Sequence, residues 1–347
     1  MPQAPDLEAV RRWVDGRIGG FEGPFEIAKF DVGQSNPTYT IRTPAGRYVL
    51  RRKPDGVLLS SAHAIEREFR VQKALAGTAV PVPKMYLLCE DPEIIGTPFY
   101  LMDHVEGTNF RDPRLDALDA PARGALMAQM GRVLAELHMI DPVAAGLGDY
   151  APKGDYIARQ IDRWTAQYRA SQTEPVADME RLIRRLPDER PGMRDAPRLV
   201  HGDYRLDNLL FDASGTPCRA VLDWELSTLG DPLADLAGVV MQWRMPPGPQ
   251  GRGLAGIDRQ ALGLPSDAQF IEDYCARRGI GPIGNFGFYL GFCFFRMAAI
   301  LQGVRKRGLD GNASDPLRAA QIGAWVPHFA REGLAALDAP GGIGAGN

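Results

Sequence analysis

The sequence predicts an α+β fold of two lobes: an N-terminal lobe of antiparallel sheet plus a helix, and a mainly helical C-terminal lobe carrying a β-hairpin. Three observations predict it. Short runs of apolar and β-branched residues separated by turn formers fill the N-terminal part, as in Thr38 to Arg42 and Arg47 to Arg51 around Thr43-Pro44-Ala45-Gly46. Beyond Glu106-Gly107 the apolar residues recur at helical spacing. The exception there is a pair of strand-like runs, Asn208 to Phe211 and Ala220 to Leu222, joined through the turn Asp212-Ala213-Ser214-Gly215.

In chain order, Leu7, Val10, Val14 and Ile18 share one face and predict an opening helix that stops at Gly19-Gly20. Phe25 to Phe30 begins a meander that the two runs above continue. Ile65, Phe69 and Leu75 predict a helix over Ile65 to Leu75, with Glu66, Arg67, Glu68 and Arg70 solvating or pairing. Lys84 to Cys89 and Phe99 to Met102 add two strands around Asp91-Pro92. The linker at Glu106-Gly107 sets the lobe boundary, so that residues 1–105 form an N-lobe, 106–340 a C-lobe and 341–347 a loose tail. In the C-lobe, Leu126, Met130, Val133, Leu134 and Leu137 share one helical face, and Tyr156, Ile157, Ile161, Trp164 and Tyr168 another. Further helices are expected around residues 267–278, 284–305 and 316–337.

A chain of 347 residues is long enough for two lobes that each bury a core. With 45% hydrophobic and 24% charged residues, it is neither disordered nor fibrous. A net charge of -3 with no long run of one sign argues against nucleic acid or an anionic membrane as partner. Cys89, Cys218, Cys275 and Cys293 lack metal-ligand spacing and read as reduced, packed thiols. The N-terminal residues show no secretory pattern, so a cytoplasmic location is expected. The apolar stretch Phe286 to Phe295, broken by Arg296, reads as a buried helix rather than a membrane span. His63, His104, His138 and His328 share no ligand spacing and read as surface or satisfied core groups; Trp164, Tyr168, Trp243 and Trp325 read as core or pocket walls.

The chemistry concentrates in His201-Gly202-Asp203-Tyr204-Arg205-Leu206-Asp207-Asn208, an H-x-D-x-x-x-x-N spacing that leads into the hairpin. Phosphoryl transfer needs little covalent work from protein: an acceptor hydroxyl must be aligned and phosphate charge neutralised. Asp203 is suited to orient the acceptor proton, and Asn208 to offer an amide oxygen to magnesium. Val221-Leu222-Asp223 ends the partner strand, so pairing of the hairpin brings the Asp223 carboxylate to Asn208; Glu225 is a further candidate ligand.

These residues, with Gly230-Asp231-Pro232 and Asp235-Leu236-Ala237, resemble the aminoglycoside phosphotransferase and choline kinase superfamily, whose fold is that of protein kinases. The resemblance covers most of the chain. It implies ATP and magnesium as cofactors, a small-molecule acceptor bearing a hydroxyl, and supporting roles for His201 and Asp235, the latter bracing the catalytic loop. It further implies a nucleotide-covering loop at Gly33-Gln34-Ser35-Asn36 and a phosphate-pairing cation in Tyr48 to Lys53, either Arg51 or Lys53. Glu68 would partner that cation, and the hinge from Met102 through Asp103 to Val105 would bond adenine through its backbone. Arg205, two positions after Asp203, would steady charge on the transferred phosphate.

For the acceptor, basic and acidic residues are balanced between positions 151 and 190, which gives a polycationic aminoglycoside no acidic trap. Arg277, Arg278, Arg305, Lys306 and Arg307 suit an anionic molecule instead. Leu50-Arg51-Arg52-Lys53-Pro54, Ser61-Ala62-His63-Ala64 and Arg67-Glu68-Phe69 resemble the kinase domain fused to some acyl-CoA dehydrogenases. That resemblance implies phosphorylation of a hydroxyacyl-CoA or another anionic metabolite. The alternatives are an aminoglycoside kinase and a non-catalytic nucleotide-binding module.

Overall fold

The computed structural model describes residues 5–30, 36–54, 64–152, 154–192, 196–248, 251–312 and 315–339. The N-terminal portion opens with helix α1 (Leu7–Val14), capped by the Asp6 carboxylate on the Glu8 and Ala9 N–H groups. The helix stops at Asp15, short of the expected Gly19-Gly20, because Gly16 turns the backbone with a φ of 71°. Ile18 nonetheless packs against the same apolar cluster.

Strands β1 (Glu26–Lys29), β2 (Thr38–Thr43), β3 (Gly46–Arg52), β4 (Met85–Cys89) and β5 (Phe99–Asp103) form one antiparallel sheet in the order β1-β2-β3-β5-β4. Helix α2 (Ile65–Leu75) lies against it. The period of two along a strand sorts side chains onto opposite faces. Tyr48 and Leu50 of β3, with Phe99 and Leu101 of β5, pack with α1. Val49, Tyr100 and Met102 pack under α2 with Ile65 and Phe69. Arg51, two residues after Val49, is thereby turned toward α2.

The C-terminal portion is helical, as expected. Helices α3 (Ala120–Met139), α4 (Tyr156–Ser171) and α5 (Ala177–Asp188) precede the site. After it come α6 (Pro232–Trp243), α7 (Arg259–Leu262), α8 (Asp267–Arg278), α9 (Phe286–Leu309), α10 (Pro316–Gly323) and α11 (Val326–Asp338). The expected single helix over 316–337 is two, because Pro327 in the first turn of α11 has no N–H for a preceding helical turn. Helix α5 was not anticipated, although Met179, Leu182 and Leu186 supply its buried stripe.

Helix α9 is the hub, packed by α4, α6, α10 and α11. Its apolar stretch continues past Arg296, so by length and composition it could cross a bilayer; 72% of that stretch is buried inside the fold. The four cysteines are buried and unbridged.

Four short strands, in two pairs, frame the centre. The hairpin joins β7 (Leu209–Phe211) to β8 (Cys218–Val221), with Leu209 opposite Val221. A second pair, β6 (Arg198–Val200) with β9 (Thr228–Gly230), was not foreseen. It ties the segment entering His201 to the segment entering α6.

Candidate active site

The catalytic-loop candidates sit where β6, the hairpin and α6 meet. Asp235, in the first turn of α6, is 5% exposed and accepts the backbone N–H of His201 at 2.5 Å and of Gly202 at 2.9 Å. Burial raises the Asp235 carboxyl, but the hydrogen bonds from His138 and the His201 N–H, with the electrostatic attraction of the two imidazoles, outweigh it and hold the group below the usual carboxylate range. His201 is fully buried, and its Nδ1 accepts the Asp203 N–H at 3.3 Å, so Nε2 carries the proton that reaches the Leu222 carbonyl at 2.9 Å. Its ring lies 4.8 Å from that of Trp224. His201 thus joins the loop to the end of the hairpin without facing solvent.

Gly202 must be glycine: its φ is 82°, and a Cβ would sit 2.6 Å from the Leu226 carbonyl oxygen. Its own carbonyl accepts from Arg296 Nη2 at 2.9 Å. The charge that interrupts the apolar run of α9 therefore reaches the catalytic loop, a role its sequence position did not signal.

Asn208 closes the 3₁₀ turn Leu206–Asn208 and donates from Nδ2 to the Asp203 carbonyl at 2.9 Å and the Asp203 carboxylate at 3.1 Å. The amide nitrogen is spent on Asp203, which leaves the amide oxygen for another partner. The Asn208 carbonyl accepts the Leu222 N–H at 2.8 Å, bringing the next residue, Asp223, alongside. Asp223 has a left-handed φ of 64°, and its side chain is 38% exposed. An amide oxygen and a carboxylate held by adjacent segments fit a hard cation whose other positions go to water and phosphate oxygens. Among the described residues no three His, Cys, Asp or Glu side chains converge as ligands, so Glu225, on the following turn Trp224–Leu226, is not gathered into such a cluster.

Across the cleft, Arg51 Nε lies 2.9 Å from Glu68 Oε2, and Arg51 Nη2 3.2 Å from Asp223 Oδ1. Desolvation works against the charge on Arg51, but Glu68, Tyr100, Asp223 and Glu225 keep it firmly cationic. Glu68 is 1% exposed and also accepts from Tyr100 Oη at 3.1 Å and Asn36 Nδ2 at 2.8 Å. Lys53, past the end of β3, pairs with Glu66 instead and stands away from this cluster. The register of β3 thus puts Arg51, and not Lys53, beside Glu68 and Asp223.

The remaining candidates are placed as follows. Gly33, Gln34 and Ser35 lie outside the described residues, and the Asn36 side chain braces Glu68. Asp103 donates its N–H to the Lys84 carbonyl at 2.9 Å and His104 to the Arg47 carbonyl at 3.3 Å, so neither amide is open to a base; Val105 follows them. Arg205 is bound to Asp207 and lies 3.8 Å from Asp203, so its charge is already matched within the loop. Helix α2 is fastened to the C-terminal portion by Arg67, whose guanidinium lies 4.1 Å over the Tyr150 ring and donates to the Ser227 carbonyl at 3.3 Å.

A cavity of about 1010 Å³ opens beside Arg205, floored by Met241, Met245, Met297 and Trp325 and flanked by Arg111, Arg114, Arg252 and Arg318. Arg205, Met241, Gln242 and Met297 also wall a narrow recess of about 20 Å³ that ends on Asp203 and Arg296. The cations expected to favour an anionic acceptor are elsewhere. Arg277, Arg305 and Lys306 pair with Asp273, Glu174 and Asp310, Arg278 binds Tyr274, and neither they nor Arg307 line the cavity.

Known proteins bear on this geometry. A model of the phosphotransferase enzyme family matches residues 26–277. Acyl-CoA dehydrogenase family member 10 of Mus musculus is 49% identical over 309 residues, covering 88% of this chain and 29% of the relative. Acyl-CoA dehydrogenase family member 11 of Homo sapiens is 39% identical over 318 residues, covering 89% and 40%. The chain therefore spans well under half the length of these relatives. A Ralstonia eutropha structure provisionally named an aminoglycoside phosphotransferase superposes with a TM-score of 0.88 at 45% identity, covering 96% of this chain and 98% of that one. The aminoglycoside phosphotransferase APH(4)-Ia, in complex with ADP and hygromycin B, superposes at 0.60 with 17% identity, over 89% and 93% of the two chains, a likeness of fold. The fold is protein-kinase-like, and with the family match running from β1 to the end of α8, the chain belongs to the phosphotransferase enzyme family.

Proposed function

We propose that the protein is an ATP- and magnesium-dependent kinase that phosphorylates a hydroxyl of an anionic small molecule with an apolar segment, such as a hydroxyacyl-CoA. The observation that carries this reading is the convergence of Asp203, Asn208, Asp223 and the Arg51–Glu68 pair between the sheet and the helical portion. The lobes divide between residues 105 and 106, and the nucleotide lies between them. Arg51 takes phosphate oxygens through its fork while Glu68 holds it in place. Asn208 and Asp223 hold magnesium, which when bound neutralises charge on the phosphates. Asp203 orients the acceptor hydroxyl and receives its proton as the oxygen attacks the terminal phosphoryl group, whose bond to the bridging oxygen breaks to release ADP. His201 and Asp235 fix the loop that carries Asp203.

The cavity supports the acceptor class. Of its arginines, Arg114 and Arg252 already pair with Asp112 and Asp207, while Arg111 and Arg318 suit phosphate or carboxylate groups, and its methionines and Trp325 suit an acyl chain. The narrow recess at Asp203 has room for a group the size of a hydroxyl. A polycationic aminoglycoside would meet like charge at Arg111 and Arg318, although Asp112 and Asp315 also line the cavity. The relatives' names, acyl-CoA dehydrogenase family members 10 and 11, agree with an acyl-CoA acceptor.

The test is magnesium-dependent ATP consumption with hydroxyacyl-CoAs, choline and aminoglycosides offered separately. Turnover with hydroxyacyl-CoAs is expected. Turnover confined to aminoglycosides would reverse the acceptor assignment, and nucleotide binding with no turnover on any acceptor would leave a binding module.

A further inference from the structure

Behind the catalytic loop a chain of buried polar groups runs away from the reacting centre. Asp235, which clamps the His201 and Gly202 amides, has His138 Nε2 at 3.4 Å from its Oδ2. His138 Nδ1 lies 2.7 Å from Tyr274 Oη, which accepts from Arg278 Nη1 at 2.9 Å. His138 is 0% exposed and Tyr274 0%. The direction of every bond follows from the ends inward. An ionised Asp235 only accepts, so His138 Nε2 carries the proton; Nδ1 of the neutral ring then accepts, and Tyr274 donates to it while taking the Arg278 proton. Burial, ahead of every other influence, lowers the proton affinity of His138, which agrees with a neutral ring.

Resting on the kinase reading, we infer that Tyr274, acting through His138, is a positioning residue for the catalytic loop. Asp235 has two oxygens and must hold two backbone amides in one orientation; a donor arriving from α3 fixes the carboxylate plane, and Tyr274 from α8 fixes the ring that donates. Without Tyr274 the imidazole can shift or change tautomer, and a carboxylate presented with the wrong nitrogen loses its donor. The loop that carries Asp203 then samples orientations displaced from the acceptor, and small displacements of a reacting group cost rate steeply.

The experiment uses Tyr274→Phe, which removes one oxygen and keeps the ring, with His138→Gln as the second variant. Two readouts are taken from the full chain: magnesium-ATP turnover with a hydroxyacyl-CoA, and amide hydrogen exchange at His201 and Gly202 against amides of β3 and β5. In Tyr274→Phe, kcat is expected to fall about 10-fold with the KM for ATP within about twofold, the scale of one lost hydrogen bond at the transition state. Exchange at His201 and Gly202 is expected to quicken on the order of 10-fold while the sheet is unchanged. Exchange that rises equally everywhere, or does not rise at the two loop amides, overturns the inference, as does a wild-type kcat. If the wild-type protein turns over no acceptor, the kinase reading fails, and the two loop amides still decide whether the relay holds them.

Discussion

Arg51 on β3 and Asp223 after β8, 172 positions apart, stand 3.2 Å from each other, and the same Arg51 Nη2 also reaches Glu68 of α2 at 3.4 Å. This contact spans the cleft and links the sheet to the hairpin.

Removing the arginine strands the carboxylate of Glu68, which is 1% exposed. Arg51→Ala is expected to cost about 3–5 kcal/mol, the penalty for breaking a buried ion pair from one side. Adding Glu68→Gln should recover part of that loss, read by thermal or denaturant unfolding. Arg51→Lys should fold but bind ATP more weakly, because an ammonium cannot bridge Glu68 and phosphate as a fork does. Equal unfolding of the single and double variants would contradict an uncompensated carboxylate.

Asp203→Asn is expected to lower turnover by roughly 10² to 10⁴ with ATP affinity largely unchanged, the contribution of a positioned acid or base. Calorimetric nucleotide titration alongside steady-state rates separates the two effects. Near-normal turnover would remove Asp203 from the chemistry.

The magnesium requirement should map to the hairpin. Asp223→Ala and Asn208→Ala are each expected to abolish the increment in ATP affinity that magnesium provides, and chelation of magnesium with EDTA should bring the wild type to the same level. Retention of that increment in both variants would place the cation elsewhere.

Acid should weaken the fold through the groups behind the loop. His138 faces Asp235, Asp231, Arg278 and Tyr274, and burial lowers its pKa from 6.5. As pH falls below 6.5, the unfolded chain takes up a proton that the folded chain refuses, so stability is full above that value and is lost on acidification. The slope is at most about 1.4 kcal/mol per pH unit for one such group. Asp235, depressed from 3.8, acts in the same direction at lower pH. Unfolding curves between pH 7.5 and 5 should show the slope, and His138→Gln should flatten it; an unchanged slope would assign it to other groups.

Gly202→Ala should be poorly tolerated, since φ is 82° and the added carbon meets the Leu226 oxygen at 2.6 Å. A cost of about 1–3 kcal/mol is expected from the backbone alone, with turnover reduced as the loop shifts. Matched melting temperature and rate would show that the loop adapts.

The sequence made the local elements legible wherever periodicity was strong. Helix α2 and helix α8 appear with the bounds their apolar spacing predicts, and strands β2 through β5 come within a residue or two. The hairpin and its turn could be read, which brings Asn208 near Asp223, but the bulge at Leu210/Phe211 could not, and Asp203 joins them through the Asn208 side chain. Less was visible for β6 and β9, three residues each and separated by the whole catalytic segment, since pairing at that distance leaves no local pattern.

By itself, the sequence determined most of the longer helices and the strands of the N-terminal sheet, and singled out the short motif from His201 to Asn208, because backbone periodicity and turn residues act over a few neighbours. Only the tertiary structure decided that Arg51 rather than Lys53 faces Glu68, that Arg296 reaches the Gly202 carbonyl and His138 the Asp235 carboxylate, and that different arginines line the cavity from those anticipated. Those outcomes depend on which face of one element meets another, and burial makes the choice: a charged or hydrogen-bonding side chain removed from water must find its partner wherever packing has put it.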